Sequence, residues 1–358
     1  MRQKWWTILA ALLLFCCAPA FGQEVRVGVL GIFRPQQLTL SPLADQSMII
    51  TGDGKMLFLP AGADSRIVHI KISADLVVVE FGGKVVRSKE IHAANSNSET
   101  ANFILAIPGK IKRQYRGLLD VKLADGALVP VVTMELESAV ASVVQAEADT
   151  DTPAEALKAQ AVVTRSYFVA AGGRHANFDF CDLTHCPFLR EPARPESPAA
   201  LAAAATRGLI LTFEEKPVAA MFTRSCGGET RTPASIGMSA AGYPYFPVRC
   251  DACYTNPVRW TRRVSAEDAA ILFARGEAGR LTVDRRLGWS AVPSNNFTAR
   301  KVDDEVLLYG QGEGHGIGLC QRGSRDMAAN GADFNKILLH YFPNTMVASV
   351  EGAKAGSK

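Results

Sequence analysis

The spacing of apolar residues changes near residue 133 from a strand period to a helical one, and this change limits the fold class. Before that point apolar and polar residues alternate, as in residues 25–30, and glycine-containing turns separate runs of strand length. After it, Val140, Val143 and Val144 recur at the spacing of one helix face. The pattern predicts an α+β fold in which helices pack on β structure, preceded by an N-terminal β-rich region.

The same signals divide the chain into four parts. We expect a signal peptide over residues 1–22, the β-rich region over 23–132, a domain containing the helices over 133–347, and a small, polar, flexible tail over 348–358. Within the third part the helix starts are marked by Pro153 and by the pair Ser197-Pro198. A hairpin is predicted to follow, with strands at residues 209–213 and 218–223.

The N-terminus has the three parts of a secretory signal. Arg2 and Lys4 precede a short apolar run, and small residues follow it. The apolar run is shorter than the ~20 residues that a helix needs to cross a bilayer. We therefore expect export to the periplasm or cell-wall space, with cleavage near Gly22. Cys16 and Cys17 leave a lipid anchor as the alternative.

Charge narrows the class of partner only slightly. A formal net charge of +4 over 358 residues permits attraction to an anionic wall polymer without identifying one. No dense stripe of Lys and Arg with interleaved aromatic residues is present, so we expect no nucleic-acid partner.

Six cysteines follow the predicted signal peptide, and they fall into two groups. In an exported protein, cysteines usually form disulfides. We expect disulfides, with open connectivity, among four of them: Cys226, Cys250, Cys253 and Cys320.

The other two cysteines lie among histidines. His175, Cys181, His185 and Cys186 supply two imidazoles and two thiolates, which is the ligand set of a closed tetrahedral zinc site. Four protein ligands leave no position for water, so the predicted zinc is structural and is not needed for chemistry. A disulfide between the two cysteines is the alternative.

Glu147 is the candidate acid/base residue. Its helix phase places it in line with the three valines named above, where desolvation raises the pKa of a carboxyl and suits it to act as a general acid. The alternative is a glutamate at a helix end that turns to solvent. Glu135 and Glu137 lie in the first turn of the same helix, and we expect them to be structural.

Two further segments supply candidate binding residues. Residues 310–318 place glycine at every second position around His315, which leaves backbone amides open to a ligand or forms a strand-end turn. Ser225 and Gly227 lie in a similar turn. The second helix carries Lys158, Gln160 and Arg165, which by themselves indicate only a solvated helix face.

In this order, the segments resemble the SpoIID/LytB family of cell-wall proteins. The resemblance rests on Ala-Leu-Lys-Ala-Gln-Ala at 156–161 and Gly-Glu-Gly-His-Gly-Ile-Gly at 312–318, together with shorter blocks between residues 131 and 347. A weaker resemblance reaches back to Val25. The family resemblance implies a SpoIID-like catalytic domain within residues 133–347.

The resemblance implies a lytic transglycosylase that cleaves the bond between N-acetylmuramic acid and N-acetylglucosamine and leaves a 1,6-anhydro end. The partner would be peptidoglycan glycan strands. The family's catalytic glutamate aligns with Glu147, and some members hold zinc in the loop that aligns with residues 175–186. A single glutamate suffices there, because the 6-hydroxyl of the sugar replaces the water that other glycosidases activate with a second carboxylate.

The resemblance also leaves a second function open, since LytB-type members modify a wall amidase. This chain would then be a non-catalytic, peptidoglycan-binding enhancer of an N-acetylmuramoyl-L-alanine amidase. A zinc-stabilised binding module is a third hypothesis. From their places in the matching blocks, seven residues are expected to line the groove around Glu147: Lys158, Gln160, Arg165, Ser225, Gly227, His315 and Gln321.

Overall fold

The computed structural model describes residues 23–43, 45–62, 67–97, 100–173, 175–183, 186–239 and 242–351, apart from the side chains of 275, 277 and 278. The predicted signal peptide and His185 lie outside the described residues. Among the helices described, none is long and apolar enough to cross a membrane.

The predicted β-rich N-terminal region is confirmed. Its strands are β1 Glu24–Gly28, β2 Gln37–Pro42, β3 Met48–Gly52, β4 Lys55–Leu59, β5 Val68–Ser73, β6 Leu76–Phe81, β7 Lys84–Ser88, β8 Glu90–Asn95, β9 Ala101–Ile107, β10 Ile111–Ala124 and β11 Ala127–Glu135. Alternation sets which face is buried, as in β9, where every second residue from Ala101 lies in the core.

These strands form one sheet together with β12, Phe180–Cys181. Its main path runs β12-β1-β11-β10-β9-β2-β5-β6-β7; in addition, β8 pairs with β10 and β3, and β3 pairs with β4. Only the pairing of β1 with β12 is parallel among the described strands of this sheet. That pairing fixes the loop that carries Cys181 against the N-terminal region.

Three helices pack against this sheet: α1 Leu136–Glu147, α2 Ala154–Ala170 and α3 Pro198–Ala205. The predicted starts are confirmed, because Pro153 precedes α2 directly and the Ser197 side chain accepts a hydrogen bond from the Ala200 amide at the start of α3. Val140, Val143 and Val144 of α1 are buried in the same core as the strands. The α+β fold class is therefore confirmed.

A second core lies beyond these helices. The elements around this core come from two parts of the chain. The first part supplies β13 Leu209–Phe213, β14 Lys216–Pro217, β15 Phe222–Thr223 and α4 Asp251–Thr255, and the second supplies β19 Leu319–Cys320, α6 Gln321–Ala329, α7 Phe334–Tyr341 and β20 Met346–Ser349. Strand β20 pairs with β13 and ends two residues beyond the predicted domain limit at residue 347.

The predicted hairpin is only half correct. β13 is present, but its return strand is the two-residue β14, and residues 218–221 form no strand. The Tyr245 hydroxyl bonds the carbonyl of Ala219 and the amide of Met221, so this backbone has partners outside a hairpin. β15 instead pairs in parallel with β19.

A small unit between α4 and β19 was not predicted. It consists of β16 Arg259–Ser265, α5 Ala266–Leu287, β17 Phe297–Val302 and β18 Glu305–Gln311, with non-helical backbone at Gly276 inside α5. Its three antiparallel strands enclose a separate apolar cluster that includes Trp260.

Candidate functional site

Glu147 is the last residue of α1 and lies where two cavities meet. The cavities have volumes of about 620 and 380 Å³ and share four lining residues: Glu147, Arg224, Glu313 and Gln321. The valines that precede Glu147 on α1 are buried in the core, and Glu147, on the same helix face, is half-buried. A chain-like ligand lying across both cavities would pass over its carboxyl.

Burial also changes the acidity of Glu147. Desolvation raises its pKa to about 7, against the opposing effects of the positive charges of Arg224 and Arg190 and a hydrogen bond from Gln321. A carboxyl with such a pKa is protonated in a large fraction of molecules at neutral pH. It can therefore donate a proton and later accept one.

The larger cavity, called here the polar cavity, has a charged rim. Arg224 donates to Asp149 at 3.0 Å, and its Nε lies 3.5 Å from Glu313. Arg325 pairs with Asp149 and, at 2.8 Å, with Asp151. These pairs tie the loop after α1 to α6 and to the segment after β15, so they define the walls on either side of Glu147.

The smaller cavity, called here the apolar cavity, has a different lining. Large apolar side chains from several separate segments contribute to it: Tyr167, Met221, Phe222, Met238, Leu281 and Trp289. Such a surface suits the flat apolar face of a sugar ring, whereas the rim of the polar cavity suits hydroxyl, amide and carboxylate groups.

His315 lines the apolar cavity and is held as a neutral imidazole. Its Nδ1 accepts a hydrogen bond from the Ile317 amide at 3.0 Å, and its ring also bonds the backbone of Phe222. Burial, together with the charge of Arg285, lowers its pKa to about 4. His315 therefore acts as a fixed hydrogen-bonding group and carries no charge at neutral pH.

The glycines around His315 serve close packing of backbone. A Cβ added at Gly318 would lie 2.0 Å from the Met221 carbonyl oxygen, and one at Gly314 would lie 2.7 Å from Thr223 Oγ1. Both glycines have positive φ. The alternating glycines therefore allow the 312–318 segment to pack closely against the residues around β15. This agrees with the second interpretation of the pattern, a turn at the end of a strand.

Four of the seven predicted binding residues lie in this groove. Gln160, Ser225 and Gln321 line the polar cavity, and His315 and Gln321 line the apolar one. Lys158 and Gly227 line neither cavity. Lys158 pairs with Glu155 at 2.6 Å, and a Cβ at Gly227 would lie 3.0 Å from the Asn296 side chain.

The predicted substrate-binding role of Arg165 is wrong. Its side chain is 0% exposed, and its Nε and Nη2 donate to the two carboxylate oxygens of Glu137 at 2.8 and 2.7 Å. It also donates to the carbonyls of Leu209 and Ala203. Arg165 joins α2 to α1, α3 and β13. The expectation that Glu137 is structural is met by this pair.

A match to known proteins covers part of this groove. Residues 124–213 match the family model described as SpoIID, Stage II sporulation protein. The chain is 28% identical over 262 residues to an uncharacterised protein of Brachyspira hyodysenteriae, covering 64% of this chain and 71% of that protein. It is 23% identical over 266 residues to Stage II sporulation protein D of Bacillus amyloliquefaciens, covering 62% and 76%. Over residues 124–213 the chain is therefore similar to the SpoIID family. This similarity supports a function related to sporulation or the cell wall.

The SpoIID segment supplies only one side of the groove. Within residues 124–213 lie Glu147, Gln160 and the loop of Cys181 and Cys186. The opposite wall, with Ser225, His315 and Gln321, comes from later in the chain.

The loop predicted to bind zinc is compact. Ligand atoms of His175, Cys181 and Cys186 all lie within 4.8 Å of one another, and Cys186 also lines the apolar cavity. The adjacent Asp182 accepts from the Leu30 amide and from Arg113, which anchors the loop to the N-terminal sheet. His185 lies outside the described residues.

The disulfides predicted among the other four cysteines are absent. Cys226, Cys250, Cys253 and Cys320 are buried as free thiols whose sulfur atoms lie within 4.8 Å of one another. The prediction was wrong because it relied on the usual state of cysteines in exported proteins, without the spatial positions of the four side chains.

Among the groove residues that were not predicted are Arg224, Glu313 and Trp289. Arg224 precedes Ser225 in sequence and Glu313 lies within the 312–318 block, but neither residue alone indicates chemistry. Trp289 follows the end of α5, in the unit that was not predicted. Only the meeting of β15, β19 and the small unit brings them to Glu147.

Proposed function

We propose that this protein is an exported peptidoglycan lytic transglycosylase that cleaves the bond between N-acetylmuramic acid and N-acetylglucosamine. The observation that carries the proposal is the position of Glu147, a half-buried carboxyl with a pKa near neutrality at the junction of two cavities. A glycan strand laid across both cavities would present one glycosidic oxygen to this carboxyl.

In the proposed mechanism, Glu147 acts twice. The protonated carboxyl donates its proton to the glycosidic oxygen, and the bond from that oxygen to C1 of the muramic acid breaks. The 6-hydroxyl oxygen of the same sugar then bonds to C1, and the Glu147 carboxylate takes the hydroxyl proton. The proton count balances, no water is consumed, and the product carries a 1,6-anhydro ring.

The neighbours of Glu147 support both halves of this cycle. The hydrogen bond from Gln321 and the charge of Arg224 favour the carboxylate, while desolvation favours the acid. Because these effects oppose one another, the pKa stays near neutrality, where neither form is too stable to react.

The predicted zinc fits this proposal as a structural ion. His175, Cys181 and Cys186 present one imidazole and two sulfur ligands within the reach of one ion, a donor set that zinc favours. Bound there, the ion would hold the loop that borders the apolar cavity. It supplies no chemistry to the steps above.

The experiment compares wild-type protein with Glu147→Gln on purified glycan strands, with and without stem peptides. We expect the variant to bind the strands and to remain folded by circular dichroism, with cleavage reduced at least a thousandfold. Glu313→Gln is the matched control, since Glu313 lines both cavities and is paired with Arg224. It should retain a measurable rate.

Three outcomes are informative. Equal loss in both variants would indicate a two-carboxylate hydrolase. Full cleavage by Glu147→Gln would reject the assignment of the acid. Binding without cleavage by the wild-type protein would favour the amidase-enhancer hypothesis, which is then tested by adding an amidase to the same strands.

A further inference from the structure

Four cysteines from three separate segments meet in the second core. Cys226 follows β15, Cys250 and Cys253 lie at the start and within α4, and Cys320 ends β19 and caps α6. All four side chains are at most 1% exposed. We call them the four-cysteine cluster.

The spacing of the sulfur atoms fits one metal ion. In tetrahedral zinc sites the Zn–S bond is about 2.3 Å, so neighbouring sulfurs are separated by about 3.8 Å. The Sγ atoms of Cys253 and Cys320 are 3.6 Å apart, and all four sulfurs lie within 4.8 Å of one another. A cluster of several iron atoms would hold its thiolates further apart.

Hydrogen-bond donors surround the sulfur atoms. The amides of Cys226 and Gly323 donate to Cys320 Sγ, each at 3.4 Å. The Tyr341 hydroxyl donates to Cys250 Sγ at 3.3 Å, and Ser225 Oγ lies 3.4 Å from Cys253 Sγ. Such donors offset the negative charge that four thiolates retain around a divalent ion, and surroundings of this kind orient metal ligands.

Gly323 shows how closely the chain is fitted to the cluster. A Cβ at this position would lie 2.4 Å from Cys250 Sγ and 1.9 Å from the Tyr341 hydroxyl oxygen. Only glycine lets the first turn of α6 approach the sulfurs closely enough for its amide to donate to Cys320.

We propose that Cys226, Cys250, Cys253 and Cys320 bind one Zn²⁺ as thiolates, in a closed structural site distinct from the His175 loop. Binding releases the four thiol protons. The proposal does not depend on the proposed glycan cleavage.

The site has a direct connection to the groove. Ser225, Ala252 and Gln321 each neighbour a cysteine of the cluster in sequence, and all three line the polar cavity. The ion would therefore fix the groove wall that faces Glu147 and the position of Gln321, which hydrogen-bonds its carboxyl.

The test uses the full mature chain, purified from the exported fraction without added metal or chelator. Zinc per chain is measured in the wild-type protein, in Cys181→Ser/Cys186→Ser and in Cys250→Ser/Cys253→Ser. We expect the first variant to retain about one zinc ion and the second to lose one relative to wild type. Cobalt exchanged into Cys181→Ser/Cys186→Ser should give the visible bands of a tetrahedral ion and strong thiolate-to-metal charge transfer.

A second measurement covers the case in which a variant fails to fold. Wild-type protein is denatured with chelator, without reductant, in the presence of an alkylating reagent, and its peptides are analysed by mass spectrometry. Alkylation of all four cysteines, together with release of zinc in excess of any bound by the His175 loop, supports the site. Disulfide-linked peptides among the four, or four alkylated cysteines with no zinc in Cys181→Ser/Cys186→Ser, would overturn it.

Discussion

At the scale of single residues, two opposing influences act on the pKa of Glu147. It lies beside charged groups, yet burial outweighs them and its pKa is raised to about 7. How activity depends on pH is set by the direction of proton transfer, which runs from Glu147 to the substrate in the first step. A general acid must carry its proton when the substrate binds.

We predict that cleavage falls as the pH rises through about 7, because Glu147 then loses the proton it must donate. The measurement is the initial rate on glycan strands freed of stem peptides, at limiting substrate, from about pH 5 to about pH 9. A rate that stays constant or rises through this window would mean that the acid is a different group.

The same pKa has an effect on stability. Because the folded-state pKa of Glu147 is raised, the native protein holds more protons than the unfolded chain between about pH 4.5 and about 7, so this residue lowers stability as the pH rises through that window. Glu147→Gln should therefore raise the free energy of unfolding above pH 7 by ~1–3 kcal/mol. Denaturant titrations at about pH 5 and about pH 8 test this, and an equal effect at both values would contradict it.

Arg224 provides a separate test of the electrostatics. Its positive charge lowers the pKa of Glu147, so Arg224→Gln should move the alkaline limb of the pH profile to higher pH. Arg325→Gln is the matched control, because Arg325 shares the partner Asp149 but is not among the charges that shift Glu147. Equal shifts of the alkaline limb in both variants would show that the charge of Arg224 has no specific effect on Glu147.

At the scale of elements, α2 is held in place by a buried ion pair. Arg165 donates two hydrogen bonds to the Glu137 carboxylate, and its guanidinium also donates to the carbonyls of Ala203 and Leu209. Lysine cannot reproduce four such bonds from one planar group. The pair therefore fixes the relative positions of α1 and α2, from which Glu147 and Gln160 enter the groove.

We predict that Arg165→Lys lowers the free energy of unfolding by about 3 kcal/mol. Arg207→Lys is the matched control, since Arg207 pairs with Glu135 at 2.6 Å but is largely exposed. It should change stability by less than about 1 kcal/mol. Urea denaturation measures both, and similar values for the two variants would argue against a dominant role for the buried pair.

The elements also show where sequence analysis succeeds. The valines of α1 gave the phase that places Glu147 at the groove, and the alternation in strands such as β9 gave the β-rich region. Both are local patterns. Arg165 was misjudged because its partner Glu137 is 28 residues away and the contact depends on helix packing. The four-cysteine cluster likewise joins residues up to 94 positions apart.

At the scale of the whole molecule, the groove lies between segments distant in sequence. α1 and α2 form one wall, whereas the segments around β15 and β19 and the start of α6 form the other. The small unit of β16–β18 and α5 brings Trp289 to the apolar cavity. The polar and apolar cavities thus meet at one carboxyl, that of Glu147.

We predict that Trp289→Ala weakens binding of glycan strands by ~1 kcal/mol, roughly fivefold, because an aromatic surface for a sugar face is lost. Phe273→Ala is the control, since Phe273 is an exposed aromatic residue of α5 that lines neither cavity. Binding to the Glu147→Gln background by calorimetry avoids cleavage. Equal affinities for the two aromatic variants would place the strand elsewhere.

In the proposed reaction a single glutamate, Glu147, transfers both protons and no water enters the product. Glycan strands are digested in oxygen-18 water with the wild-type protein and with Glu147→Gln. The masses of the new muramic acid ends are then measured by mass spectrometry. We expect ends that are one water lighter than reducing ends, carry no oxygen-18, and are formed only by the wild-type protein. Reducing ends that carry oxygen-18, or the same anhydro ends from Glu147→Gln, would contradict the proposed reaction.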